Sequence, residues 1–132
     1  MSAEPHNHSV LVVDDDPGAL DALVYFLQSS GFEAVGALGA EDALYRLRDG
    51  VHPCLVVTDV VMPWLDGWGL VAAMRAEPKL AAIPVVMVSG HPEHVSRALQ
   101  SGVRAYLPKP CDPMDVVAAA VRYCGAQAGS RT

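Results

Sequence analysis

Val10-Leu-Val-Val-Asp-Asp-Asp-Pro17 joins an unbroken apolar run to three successive acids and a proline. Four apolar residues without alternation fit a strand covered on both faces, as in a parallel sheet. Asp16-Pro17 suits a helix start, because an aspartate can cap free N–H groups and proline fits the first helical turn. A strand leading through a short loop into a helix opens a βα unit, with the acids at the strand's carboxyl end.

The pattern recurs along the chain. Cys54-Leu-Val-Val57 and Pro84-Val-Val-Met-Val88 are further apolar runs without alternation, with strands also expected at roughly Phe32 to Leu38 and at Ala105-Tyr-Leu107. Helical spacing follows each run. Leu20, Leu23, Val24 and Leu27 form one stripe, Ala43, Leu44 and Leu47 a second, and Leu70, Val71 and Met74 a third. Val95, Ala98 and Leu99 form a fourth stripe, and Met114, Val117, Ala118 and Val121 a fifth. Gly50, Gly102 and Gly125 stop three of these helices, and His91-Pro92 and Asp112-Pro113 punctuate two starts. Five βα units in series predict an α/β fold, a doubly wound five-stranded parallel sheet flanked by five helices. The sequence contains neither repeat nor linker, so one domain is expected over 9–125, with flexible tails at 1–8 and 126–132.

Composition excludes several classes. Of the 132 residues, 52% are hydrophobic and 18% charged, a balance that supports a filled core and opposes disorder. The net charge of −6 would repel a phosphate backbone, so general nucleic-acid binding is not expected. No apolar run approaches the ~20 residues of a membrane span, and the start carries no signal peptide. Three cysteines without CxxC spacing suit a reducing compartment and no zinc site, so a cytoplasmic protein is expected whose fold needs neither disulfide nor metal.

In a doubly wound sheet the ligand crevice lies outside the carboxyl ends of the strands, where the winding reverses. Asp14, Asp15 and Asp16 follow the first strand, Asp59 the third, Ser89 the fourth and Lys109 the fifth. Clustered carboxylates repel one another until a proton or a cation intervenes. A hard cation such as Mg²⁺ fits, because it takes one or two carboxylates and keeps water positions for a phosphate. Lys109 and Ser89 would then supply a charge and a hydrogen bond to an anion beside the metal, which points to phosphoryl transfer onto a carboxylate. Singly, each residue has a plainer reading: Asp16 as a cap, Asp59 and Ser89 as turn residues, Lys109 as a solvated charge. Their joint arrival at successive strand ends favours the site.

Four stretches carry a family resemblance. Val10-Leu-Val-Val-Asp-Asp-Asp-Pro17, Asp59-Val-Val-Met-Pro-Trp-Leu-Asp-Gly67, Val88-Ser-Gly90 and Tyr106-Leu-Pro-Lys-Pro110 stand in order over nearly the whole chain. In this the chain resembles the response-regulator receiver domains of two-component signalling, among them the chemotaxis regulators. The resemblance implies a flavodoxin-like fold with strand order 2-1-3-4-5. It implies Asp59 as phosphoacceptor, taking a phosphoryl group from the phosphohistidine of a sensor histidine kinase or histidine phosphotransfer protein. Asp14, Asp15 and Asp59, with the backbone carbonyl of Val61, would hold Mg²⁺, with Mn²⁺ as a substitute. Lys109 would bind a phosphoryl oxygen beside a cis bond to Pro110, Ser89 would be the switch hydroxyl and Tyr106 the switch aromatic. Such a domain is a signalling switch that catalyses only its own phosphorylation and dephosphorylation, and it would act on a downstream protein, not on a membrane or nucleic acid.

Other positions read less sharply. Ser89 stands where threonine is commoner in the family, and Cys111 where many members carry an aromatic; packing is the expectation for Cys111. Asp66 is expected to cap a helix, and His52 and His94 to lie on the surface. Trp64 and Trp68 flank the loop after Asp59, where loop packing is the expectation for Trp64 and an exposed partner anchor the alternative. His6 and His8 are expected to be solvated in a polar tail, and His91 could either close over the site or serve only as a loop residue. Gly102-Val-Arg-Ala-Tyr106 lacks the acidic pair of receivers joined to winged-helix domains, which weakens dimerisation through the last two helices. A chain ending soon after the fifth helix, if complete, would signal through its own surface. Three alternatives stand beside the switch. A flavin- or nucleotide-binding module would need a donor-rich loop where the acids sit. A metal-dependent aspartyl phosphatase would rarely place Gly18 at the fifth position of its motif. A silent receiver-like scaffold is separable only by experiment.

Overall fold

The computed structural model describes residues 9–125. Strands and helices alternate throughout: β1 (Ser9–Val13), α1 (Pro17–Ser29), β2 (Glu33–Ala37), α2 (Ala40–Arg48), β3 (Leu55–Asp59), α3 (Gly67–Arg75), β4 (Val85–Ser89), α4 (His94–Gln100), β5 (Ala105–Pro108) and α5 (Pro113–Cys124). The strands form one sheet in the order β2-β1-β3-β4-β5. All four pairings are parallel, with Val12 beside Val57 and Asp59 beside Val88. The winding reverses between β1 and β3, where successive crossovers leave to opposite sides.

Alternation of side chains along each strand sorts the core into two layers. Leu11, Val13, Val56, Val85 and Met87 face α2 and α3 through Leu44, Leu47, Leu70, Val71 and Met74. Val10, Val12, Leu55, Val57, Val86 and Val88 face the opposite way, against Leu20 and Leu27 of α1 and Val116, Val117 and Ala120 of α5. Strands apolar at every position are thus the ones covered on both faces. Three helix starts use the expected aspartates as caps: Asp16, Asp66 and Asp112 accept from the N–H groups of Gly18, Gly69 and Met114 at 3.1, 3.0 and 2.9 Å.

Three expectations change. The α4 helix begins at His94, after a turn in which the N–H of His94 donates to the carbonyl of His91, so Pro92 precedes the helix. Of its predicted stripe only Ala98 is buried, while Val95 and Leu99 are exposed. In α5 the buried face is Val116, Val117 and Ala120, with Met114 and Val121 exposed. Apolar spacing in an alanine-rich segment leaves the facing direction to the packing of neighbours. The cysteine reading is also corrected. Cys54, just before β3, and Cys124, at the end of α5, form a disulfide across a separation of 70 residues. Packing of α5 on β3 brings their Cα atoms to 5.2 Å, a proximity that no local spacing encodes. Cys111 is a free thiol. No helix among the described residues is long and apolar enough to cross a membrane. The expected tails, with His6 and His8, lie outside the described residues.

Candidate functional site

Four strands deliver carboxylate, hydroxyl and ammonium groups to one edge of the sheet. Asp14 and Asp15 leave the end of β1, Asp59 and Ser89 are the last residues of β3 and β4, and Lys109 follows β5. Asp14, Asp15 and Asp59 each present a carboxylate oxygen within 4.8 Å of the others. Asp59 Oδ2 pairs with Lys109 Nζ at 2.9 Å, and its side chain is only 12% exposed. The other oxygen, Oδ1, accepts the N–H of Val60 at 2.8 Å. Asp14 Oδ1 accepts the N–H of Asp16 at 3.0 Å. The backbone N–H of Lys109 donates to the carbonyl of Ser89 at 2.9 Å, tying the ends of β4 and β5 together. The Lys109–Pro110 peptide is cis.

Charge repulsion is visible in the ionisation balance. Partial burial pushes the Asp14 carboxyl above its usual range. The Asp16 N–H opposes that shift, the Asp59 charge adds to it, Lys109 opposes it, and Asp15 adds to it. Burial alone would lower Lys109, but its hydrogen bond to Asp59 and the three nearby carboxylate charges hold its ammonium above the usual value. An excess of negative charge therefore meets one ammonium, which leaves the cluster suited to a hard cation.

The loop between β3 and α3 is held close. The N–H of Gly67 donates to the carbonyl of Val60 at 2.8 Å. A Cβ at Gly67 would lie 2.5 Å from the Asp59 carbonyl oxygen and 3.0 Å from Val60 Cα. Glycine is required there by that approach, which lets the cap residue Asp66 start α3 directly under the site. Trp64 is 92% exposed at the outer turn of the same loop and has a positive φ of 69°, so its ring does not pack there as expected. Trp68 is half-buried. Cys111 is partly buried among apolar side chains next to α1 and α5; burial raises its thiol pKa, and Asp115 and Asp112 add to the shift against Lys109.

Ser89 is buried, with its Oγ accepting the His91 N–H at 3.1 Å and lying 3.0 Å from His94 Nδ1. Tyr106 Oη donates to the His91 carbonyl at 2.6 Å and, more weakly, to the Ser89 carbonyl at 3.3 Å. His91 itself is exposed and pairs with Glu93 at 3.5 Å. His52 is exposed, but His94 is half-buried and touches Ser89, contrary to the surface position expected for it. Its sequence signal was weak, a histidine five residues beyond a strand-end serine.

The acidic crevice, bridged by one lysine, lies at the switch point of a doubly wound sheet, where open α/β domains bind their ligands. The model of the response regulator receiver domain matches residues 10–121, and the chain belongs to that family, whose members serve two-component signalling. It is 37% identical over 117 residues to an uncharacterized 14.6 kDa protein of Leptolyngbya boryana, covering 87% of this chain and 88% of that one. The response regulator Rre1 of Synechocystis is 35% identical over 83% of this chain, but the match spans 48% of its own length. A solved response regulator receiver protein from Pseudomonas putida superposes with a TM-score of 0.79 at 35% identity, covering 92% of this chain and 98% of that one.

Proposed function

We propose that Asp59 is the phosphoacceptor of a two-component phosphorelay. The observation that carries this reading is the Asp59 carboxylate itself, set 2.9 Å from the Lys109 ammonium and within 4.8 Å of the two carboxylates that follow β1. An Asp59 oxygen attacks the phosphorus of a phosphohistidine on a sensor histidine kinase or phosphotransfer protein. The P–N bond breaks, the imidazole leaves, and an acyl phosphate remains on Asp59. Lys109, freed from its pairing with the carboxylate, stays beside the new phosphoryl oxygens and balances their charge. Ser89 offers its hydroxyl to the same group from the adjacent strand end.

The residues fit Mg²⁺ or Mn²⁺, since all the side-chain donors are carboxylate oxygens and burial with mutual repulsion strains Asp14. Asp14, Asp15 and Asp59, with the Val61 carbonyl, would hold the ion, which when bound neutralises charge on the transferring phosphoryl group. The modified Asp59 then biases the segment containing Ser89, His91 and Tyr106, and so alters the surface offered to a downstream protein. Intact-mass analysis after incubation with acetyl phosphate tests the reading. One added phosphoryl group that requires both Mg²⁺ and Asp59 is expected; no adduct on the wild-type chain, or an equal adduct on Asp59→Asn, overturns it.

A further inference from the structure

We infer that His94 is the resting partner of the Ser89 hydroxyl and competes with the anion on Asp59 for its proton, a positioning role that rests on the phosphoacceptor reading. Ser89 has one hydroxyl proton and two acceptor positions. The His91 N–H fills one acceptor position at 3.1 Å. His94 Nδ1 lies 3.0 Å from the same oxygen. In the tautomer with its proton on Nε2, His94 Nδ1 takes the hydroxyl proton. A phosphoryl oxygen beside Asp59 needs that proton too, and one O–H cannot serve both acceptors at full strength.

The surroundings make this a choice between two arrangements. The Ser89 carbonyl receives the Lys109 N–H at 2.9 Å, so the backbone is held and rotation about the side-chain bond is the movement left. His94 is held as well: the Trp68 ring meets it edge-on, with centroids 5.5 Å apart, and the His91 ring lies 4.9 Å away. Arg97 covers Trp68, its guanidinium carbon 4.3 Å from the ring centroid. His91 links the two halves of the device, because its N–H binds Ser89 Oγ while its carbonyl receives Tyr106 Oη at 2.6 Å. Withdrawing the hydroxyl from His94 therefore acts on the segment that anchors the Tyr106 ring. His94 raises the threshold for the switched arrangement, since its hydrogen bond has to be surrendered first.

Beryllofluoride in the presence of Mg²⁺ is the probe, as a phosphoryl mimic that binds without chemistry. His94→Phe keeps a ring against Trp68 but removes the acceptor, and is expected to tighten beryllofluoride binding by about two- to tenfold, the value of one ordinary hydrogen bond. His94→Asn places a carbonyl acceptor near the position of Nδ1 and is expected to restore the wild-type affinity. In a Ser89→Ala background the His94→Phe effect should vanish, which a merely structural role would not produce. His94→Ala gives the same comparison should phenylalanine disturb folding. Binding unchanged in both His94→Phe and His94→Ala, an equal change with and without the Ser89 hydroxyl, or His94→Asn matching His94→Phe overturns the inference alone. A wild-type chain that binds no beryllofluoride overturns the phosphoacceptor reading beneath it.

Discussion

Lys109 and Asp59 form the one direct ion pair of the crevice among the described residues, at 2.9 Å. Their roles separate by charge. Removing the ammonium in Lys109→Ala leaves the three acids in place, so Mg²⁺ binding should persist or tighten while phosphorylation by acetyl phosphate is lost; isothermal titration and intact mass read the two effects independently. Asp14 behaves in the opposite sense. Its carboxyl stands above the usual range through burial first, so the folded chain holds that proton more tightly than the unfolded chain. Its ionisation costs stability, a cost absent at low pH and growing as pH rises through and above the ordinary carboxylate range. Asp14→Asn should therefore raise the melting temperature at neutral pH without metal, and abolish most of the stabilisation that Mg²⁺ confers on the wild type. A thermal melt with and without Mg²⁺ checks both signs.

At the scale of elements, the connection from β3 to α3 decides where the Asp59 carboxylate sits. Gly67 lies against the Asp59 carbonyl and the Val60 Cα, so any side chain there pushes the start of α3 away from the end of β3. Gly67→Ala should cost about 1–3 kcal/mol as overpacking against backbone, measured by urea denaturation, and should weaken Mg²⁺ binding more than Gly18→Ala, whose Cβ would meet only the Asp16 side chain at 3.6 Å. The α4 helix is the contrasting element. It contributes only Ala98 to the core, and its first residue touches the Ser89 hydroxyl. A short helix with one buried anchor can shift without opening the sheet, as the proposed role of Ser89 requires.

Across the whole molecule, the disulfide joins the end of the last helix to the entry of a central strand. Cross-linking residues 70 apart removes up to about 4 kcal/mol of unfolded-chain entropy on the loop-closure account. Cys124→Ser should lower stability by an amount approaching that value. Thiol titration in denaturant should find one free thiol before reduction and three after, since Cys111 alone is unpaired among the three cysteines. The bond lies at the end of β3 opposite to Asp59, so Cys124→Ser should lower the melting temperature while leaving metal-dependent phosphorylation in place.

Unbroken apolar runs, proline-marked helix starts and acids just past the strands were legible in the sequence because they are local patterns, each written within a few neighbouring residues. They determined the βα alternation, the two-sided sheet and the candidate set of Asp14, Asp15, Asp59, Ser89 and Lys109; the strand order came through family resemblance. Other features belong to contacts between distant segments. The pairing of Cys54 with Cys124, the rotation of α5 that buries Val116, and the approach of Gly67 to Asp59 arise only when the layers pack. The same holds for His94. On its own helix it is one polar residue among several, and only the meeting of α4 with the end of β4 sets its ring on the Ser89 hydroxyl. Local free energies select the elements, whereas the partners of a polar side chain are selected by which elements share a buried boundary.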